Sequence, residues 1–363
     1  GNVHKSRGQY DEAIENFQQA LAIARKLGEE DWIVSSLINI SEVYQSRGHY
    51  DKAIENYQQA LTIARKLGQE KAISVVLGNI GNVYHSRGQY DEAIENFQQA
   101  LVIARKMGEE HGIAAAIMGI GHVYLSWGKY DKAIENYQQA WTLFRKMGAE
   151  RGISSALIGI GNVYLSWGQH DKAIENFQQT LVIARKMGAE DGIAAALLGI
   201  GHVYQPRGQY DKAIENYQQA LTLFRKMGAE NGIAQTLLGI GSLYYLQQQY
   251  DPAKKYLVES IELTEKLRKT AIGNARRDYL ASRIMIYRLL ISSYLLNQEP
   301  SNAFEAMEQS RSRLLAERLA DSKSEVKVSS VKSVQDKMAN SSAILSYANS
   351  YFRKISIVAL TQS

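Results

Sequence analysis

Histidine, asparagine and paired cations carry most of the available chemistry in this chain, and each returns at a fixed interval. His122 and His202 hold equivalent places two repeats apart. As metal ligands they fail on distance. Stacked helices about 10 Å across would put them up to roughly 40 Å apart, whereas a shared ion needs ligands at about 2 Å. No metal or cofactor is expected. The glycines cap or pack helices and do not follow a strand into a phosphate loop. The sequence contains no cysteine, which excludes thiolate metal sites, disulfides and a cysteine nucleophile within these residues. No Ser-His-Asp or paired-carboxylate set stands apart from the repeat. Equivalent copies of a residue cannot all be one active centre, so these residues read as a binding protein and not as an enzyme.

Binding chemistry fits better. An asparagine offers a donor and an acceptor on one short arm, which suits an extended peptide backbone. Asn82 and Asn162 share a repeat position with Asn2, Glu42, His122, His202 and Ser242. Three residues later stand Lys5, Gln45, His85, Leu125, Leu165, Gln205 and Tyr245, and Asn39 and Asn79 flank the same stripe. These positions vary while their apolar neighbours do not. That favours a partner-binding groove over a merely solvated helix face. Trp127 and Trp167 stand where other repeats carry Arg47, Arg87 and Arg207. They read either as an anchor for a partner or, with more weight, as packing between units. The pairs from Arg25-Lys26 to Arg225-Lys226 recur six times. They suit helix C-termini and nearby glutamates, with an acidic partner as the alternative.

The elements that position these residues follow from a 40-residue period. Gly81-Asn82-Val83-Tyr84 returns as Gly161-Asn162-Val163-Tyr164. In residues 151–190, Ile153, Leu157, Ile160, Val163 and Tyr164 share one helical face, and Gly168 stops that helix. Asp171 opens a second helix with Ala173, Ile174, Phe177, Leu181 and Ala184 on one face, ended by Gly188. Neither helix can bury its stripe alone, so the hairpins must stack. Pro252 and Pro300 suit helix starts, whereas Pro206 predicts a kink or a tightened last turn.

The small and aromatic pattern Ile160, Gly161, Tyr164, Gly168, Ala173, Phe177 and Thr180 resembles the tetratricopeptide repeat (TPR). The longer second helix resembles the repeats of Pins-type polarity scaffolds and of bacterial signalling proteins. The resemblance implies an all-α fold: a right-handed superhelix of about seven to eight hairpins over 1–320. Its units fall near 1–30, 31–70, 71–110, 111–150, 151–190, 191–230 and 231–270, with a diverged 271–320. It also implies a concave groove that takes a peptide or protein. Leu198, Ile158 and Met118 occupy a place where the carboxylate clamp of some TPR proteins needs a basic residue, so that clamp is not expected.

Residues 321–341 read as a linker. Ala343–Tyr347 and Ile355–Leu360 read as two strands, a short β-hairpin tail. Ala303–Arg313 followed by Leu314-Leu315, together with those strands, resembles the approach to a CHAT domain, a caspase-like peptidase. On that resemblance, 342–363 begins a β-containing domain and the array regulates or targets a peptidase; a free-standing adaptor is the other reading. An unfinished sheet edge would also promote a homodimer.

The net charge of +5 lies in residues 251–363, which hold 18 Lys/Arg against 12 Asp/Glu. Neutral repeats argue against nucleic acid as the partner. No apolar run approaches the roughly 18 residues that span a bilayer. The sequence starts inside a repeat, so it reads as a fragment with any targeting signal upstream. The absence of cysteine fits a reducing, cytoplasmic setting.

Overall fold

The computed structural model describes residues 10–270 and 274–320, with side chains characterised over 10–267 and 284–310. Every element among them is an α-helix. In chain order these are α1 (Tyr10–Leu27), α2 (Glu30–Ser46), α3 (Tyr50–Lys66), α4 (Glu70–Ser86), α5 (Tyr90–Met107), α6 (Glu110–Ser126), α7 (Tyr130–Lys146) and α8 (Glu150–Ser166). They continue as α9 (His170–Met187), α10 (Glu190–Tyr204), α11 (Tyr210–Met227), α12 (Glu230–Leu246), α13 (Tyr250–Thr270), α14 (Asn274–Leu296) and α15 (Pro300–Ala320). Even-numbered helices are the first helix of each hairpin and odd-numbered helices the second. The described chain is therefore α1 followed by seven hairpins.

The expected β-hairpin tail is corrected. No strand occurs among the described residues, so the fold class is all-α. Residues 1–9, the linker at 321–341 and the segment 342–363 lie outside the described residues.

The first helices from α2 to α10 end on a glycine in the left-handed region, as α8 does on Gly168 at φ 76°. Gln169 N then donates to Tyr164 O at 2.8 Å, closing the Schellman turn that aims the chain into the second helix. The last two described hairpins use Gln248 and Gln298 at φ 60° instead. That conformation costs a side-chain-bearing residue about 1–2 kcal/mol, consistent with terminal repeats that have drifted.

Two sequence expectations shift in detail. Asp171 lies inside the first turn of α9, which starts at His170, and the preceding Gln169 makes no side-chain cap. Its carboxylate instead pairs with Arg207 of the next hairpin. Pro206 shortens its helix: α10 stops at Tyr204, two residues before the point equivalent to Ser166 in α8.

Packing rests on one ring per junction. Phe97, Tyr137, Phe177 and Tyr217 project from the second helices and are almost fully buried. Each ring lies between a glycine of its own hairpin and a glycine of the next. A Cβ added at Gly161 would stand 2.8 Å from Phe177, and one at Gly199 would stand 2.6 Å from it. Both lie inside van der Waals contact, so only glycine allows this approach.

Ion pairs tie hairpin ends together. Lys66 meets Glu30 at 2.7 Å, Lys146 meets Glu110 at 2.7 Å and Lys186 meets Glu150 at 3.2 Å; Lys106, Lys226 and Lys266 pair likewise with Glu70, Glu190 and Glu230. The lysine of each Arg-Lys pair from Arg65-Lys66 to Arg225-Lys226 is thus engaged within its own hairpin. Exposed pairs of this kind contribute about 1 kcal/mol or less each.

Candidate partner-binding groove

Successive first helices touch one another along the array: α2 meets α4, α4 meets α6, α6 meets α8, α8 meets α10 and α12 meets α14. No pair of second helices shows comparable contact among the described residues. The stack therefore curves with its first helices inside. On α4, the buried side is Ile73, Val76, Leu77, Ile80, Gly81 and Val83, which leaves Asn82 exposed and Asn79 and His85 half-buried.

The same placement holds down the array. Asn39, Glu42, Leu125, Asn162, Leu165, His202, Gln205 and Tyr245 are half-buried, and Asn82 and His122 are exposed. Their hydrogen bonds separate them from other asparagines. On the second helices, Asn56, Asn96, Asn136, Asn176 and Asn216 each donate to the carbonyl four residues earlier, at 2.7 to 2.8 Å. Asn39 does the same to Ser35 O at 2.8 Å. The amides of Asn79, Asn82 and Asn162 have no partner among the described residues.

An alternation missed in the sequence appears beneath the candidate groove positions. The junction ring runs Phe17, Tyr57, Phe97, Tyr137, Phe177, Tyr217. Asn82 and Asn162 belong to phenylalanine repeats, and His122 and His202 to tyrosine repeats. The His202 ring meets Tyr217 edge-on with centroids 5.4 Å apart, and its Nδ1 lies 2.8 Å from the phenol hydroxyl. That hydroxyl also reaches Gln205 Oε1 at 3.3 Å, as Tyr57 reaches Gln45 Oε1 at 3.3 Å. His122 holds the same edge-on pose over Tyr137 at 5.4 Å, but Leu125 replaces the glutamine. The buried Tyr137 hydroxyl is left without a partner. Reading the sequence at two repeats rather than one reveals this alternation.

Burial also sets the protonation of the floor. Withdrawal from water lowers the pKa of His85 and His202 below 6.5; His122, exposed overall but with its ring packed on Tyr137, is lowered by partial desolvation and by the charge of His85. His85 Nε2 additionally lies 2.8 Å from Ser126 Oγ on the neighbouring α6. Because the folded pKa values are depressed, neutral imidazole favours folding. This contribution is full above 6.5 and is lost as pH falls through the depressed folded values. Denaturant midpoints are expected to fall as pH drops below about 6.5, ahead of bulk carboxylate titration. The double variant H122N/H202N, which installs the residue found at Asn82 and Asn162, should flatten that drop. An unchanged slope would count against the histidines as its origin.

Trp127 and Trp167 close their first helices and pack on aromatic rings of the preceding hairpin. Trp127 packs on Tyr124 at 6.4 Å and on Tyr90 of the preceding hairpin at 5.7 Å. Trp167 packs on Tyr130 of the preceding hairpin at 5.9 Å and remains 41% exposed. Among the described residues, no group of three or more His, Asp or Glu is placed to hold a metal ion. No described helix is long and apolar enough to cross a membrane.

Stacked helical hairpins with a common inner face define an α-solenoid of the protein-interaction type. Tetratricopeptide repeat profiles match residues 1–66, 72–146 and 192–266, and a second such profile matches 154–185. The chain belongs to the tetratricopeptide repeat family.

Several solved structures share the fold. The apo form of RapI aligns with a TM-score of 0.59 at 19% identity, covering 74% of this chain and 96% of that one. A Rap protein complexed with Competence and Sporulation Factor aligns at 0.54 and 20% identity, covering 73% and 74%. BtubC from P. vanneervenii aligns at 0.56 and 18% identity, covering 66% and 94%. No curated protein sequence matches.

Proposed function

We propose that this array is a scaffold that holds an extended peptide, or an extended segment of a protein partner, along its inner face. The residues that would line the site are Asn39, Glu42, Asn79, Asn82, His85, His122, Leu125, Asn162, Leu165, His202, Gln205 and Tyr245. One observation carries the reading. The amides of Asn79, Asn82 and Asn162 are unspent on the inner face, whereas second-helix asparagines spend theirs on their own helix. An amide with free donor and acceptor can bridge the N–H and C=O of a peptide lying across it. The Rap structure solved with a bound factor supports the reading by likeness of fold.

The test is affinity capture with the array as bait. The double variant N82A/N162A should lose a partner that N136A/N176A, altered on the second helices, retains. Loss of one neutral hydrogen bond costs about 0.5–1.5 kcal/mol, so two predict roughly 5- to 160-fold weaker binding. Equal retention by both double variants would remove the groove assignment.

A narrower reading adds regulation of a CHAT-type peptidase in a reducing cytoplasm. It rests on the resemblance of residues 301–361 and on the cysteine-free composition. Helix α15 contains the Ala303–Leu315 part of that segment, and the remainder lies outside the described residues. The sequence of the parent gene decides it: a catalytic His and Cys in a caspase-like pattern supports the reading, and their absence sinks it. The expected homodimer would use residues 343–361, which lie outside the described residues.

A further inference from the structure

The junctions between hairpins reuse one contact. The residue that closes a first helix reaches back to the aspartate in the first turn of the preceding second helix. Arg47 meets Asp11, Arg87 meets Asp51 at 2.7 Å, and Arg207 meets Asp171. At the next junction Gln247 takes the arginine's place and donates to Asp211 at 2.9 Å.

Two junctions break the pattern. Trp127 and Trp167 cannot pair with Asp91 and Asp131, and neither aspartate has a partner among the described residues. At Trp127 the chain supplies a cation of its own: Lys129 Nζ stands 3.0 Å from the centre of the indole. At Trp167 the residue equivalent to Lys129 is Gln169, which brings no charge. Lys172, the nearby cation, is engaged over Tyr164 at 5.2 Å. The Trp167 corner thus combines a 41% exposed indole packed against Tyr130 with an exposed carboxylate that has no partner among the described residues, and no cation lies on the indole.

We propose that Trp167, Tyr130 and Asp131 form a docking site for an arginine side chain presented by a protein partner. The site is separate from the inner face and does not depend on the groove reading. Charge complementarity selects the occupant, because a carboxylate beside an aromatic face suits a cation. The molecule's own junctions indicate which cation: Arg87 and Arg207 place a guanidinium on the equivalent aspartate. A planar guanidinium can stack on indole while it pairs with the carboxylate, which an ammonium cannot do.

The chain has four tryptophans, so 5-fluorotryptophan labelling gives four fluorine signals, assignable by Trp→Phe replacement. The probe is N-acetyl-arginine amide, with the neutral N-acetyl-citrulline amide as control. The Trp167 signal should shift saturably with the arginine probe, at roughly tens of millimolar. Citrulline should leave it in place, and Trp127, covered by Lys129, should not respond. D131N should weaken the response about threefold. K129Q, which copies Gln169, should make Trp127 responsive. A Trp167 shift no larger than that of Trp32, an equal shift with citrulline, or a silent Trp127 in K129Q would each overturn the proposal.

Discussion

Phe177→Ala is expected to destabilise the array by about 3–5 kcal/mol and to divide its unfolding into two transitions. The size follows from burial. The ring has no exposed surface and lies against Gly161 on one side and Gly199 on the other. No side chain at either glycine can swing in to fill the void, so the cavity persists and adds to the lost transfer energy. The division follows from topology. A solenoid is stabilised hairpin by hairpin and interface by interface, and Phe177 belongs to both the α8–α9 hairpin and its interface with α10. Removing it weakens the link between the two halves of the array while leaving their internal contacts intact. Val182, on the same helix but 70% exposed, gives the control, since V182A should stay within about 0.5 kcal/mol of wild type. Denaturant melts followed by circular dichroism read the stability, and hydrogen exchange shows which helices open first. A single unshifted transition in F177A would refute the clamp.

The fold was legible because packing is local. A hairpin that meets only its neighbours writes its whole core into one period, so the pattern Ile160, Gly161, Tyr164, Gly168, Ala173 and Phe177 was enough to place both helices and their turn. The candidate site was legible only as a stripe. Its floor depends on pairs spread over two repeats, such as His202 with Tyr217 and Gln205, and a search at one repeat averages these away. Asp171 was misread for a related reason. An Asp at a helix start suggests a cap, yet its partner Arg207 lies 36 residues on, in the next hairpin. The aromatic reading of Trp127 and Trp167 was available in the sequence, but not that Lys129 folds back over the Trp127 indole while Gln169 brings no charge to Trp167.

Gly199→Ala and Gly78→Ala, the same change in two sister helices, are expected to act with opposite sign. An alanine in a helix interior is favoured over glycine by about 0.8–1.0 kcal/mol. At Gly78 nothing lies within 4 Å of the new Cβ, so G78A should realise most of that gain. At Gly199 the Cβ would stand 2.6 Å from Phe177, whose ring is held from behind by Gly161. Relief then requires α8 and α10 to spread, and overpacking of this kind costs about 1–3 kcal/mol, which outweighs the gain. The first junctions accommodate a side chain at this point, since Asn39 and Asn79 occupy the place of Gly199 there. Spread inner helices would also separate Asn162 from the next groove position, so G199A should weaken partner capture, which ties the packing to the proposed function. Phe177→Leu in the same chain should restore part of the loss, because Leu257 already serves as the knob beside Gly241. Thermal melts of the two single variants and the double variant measure this coupling. If G199A proved as stabilising as G78A, the glycines would be helix defects and not the device that sets the spacing of the groove.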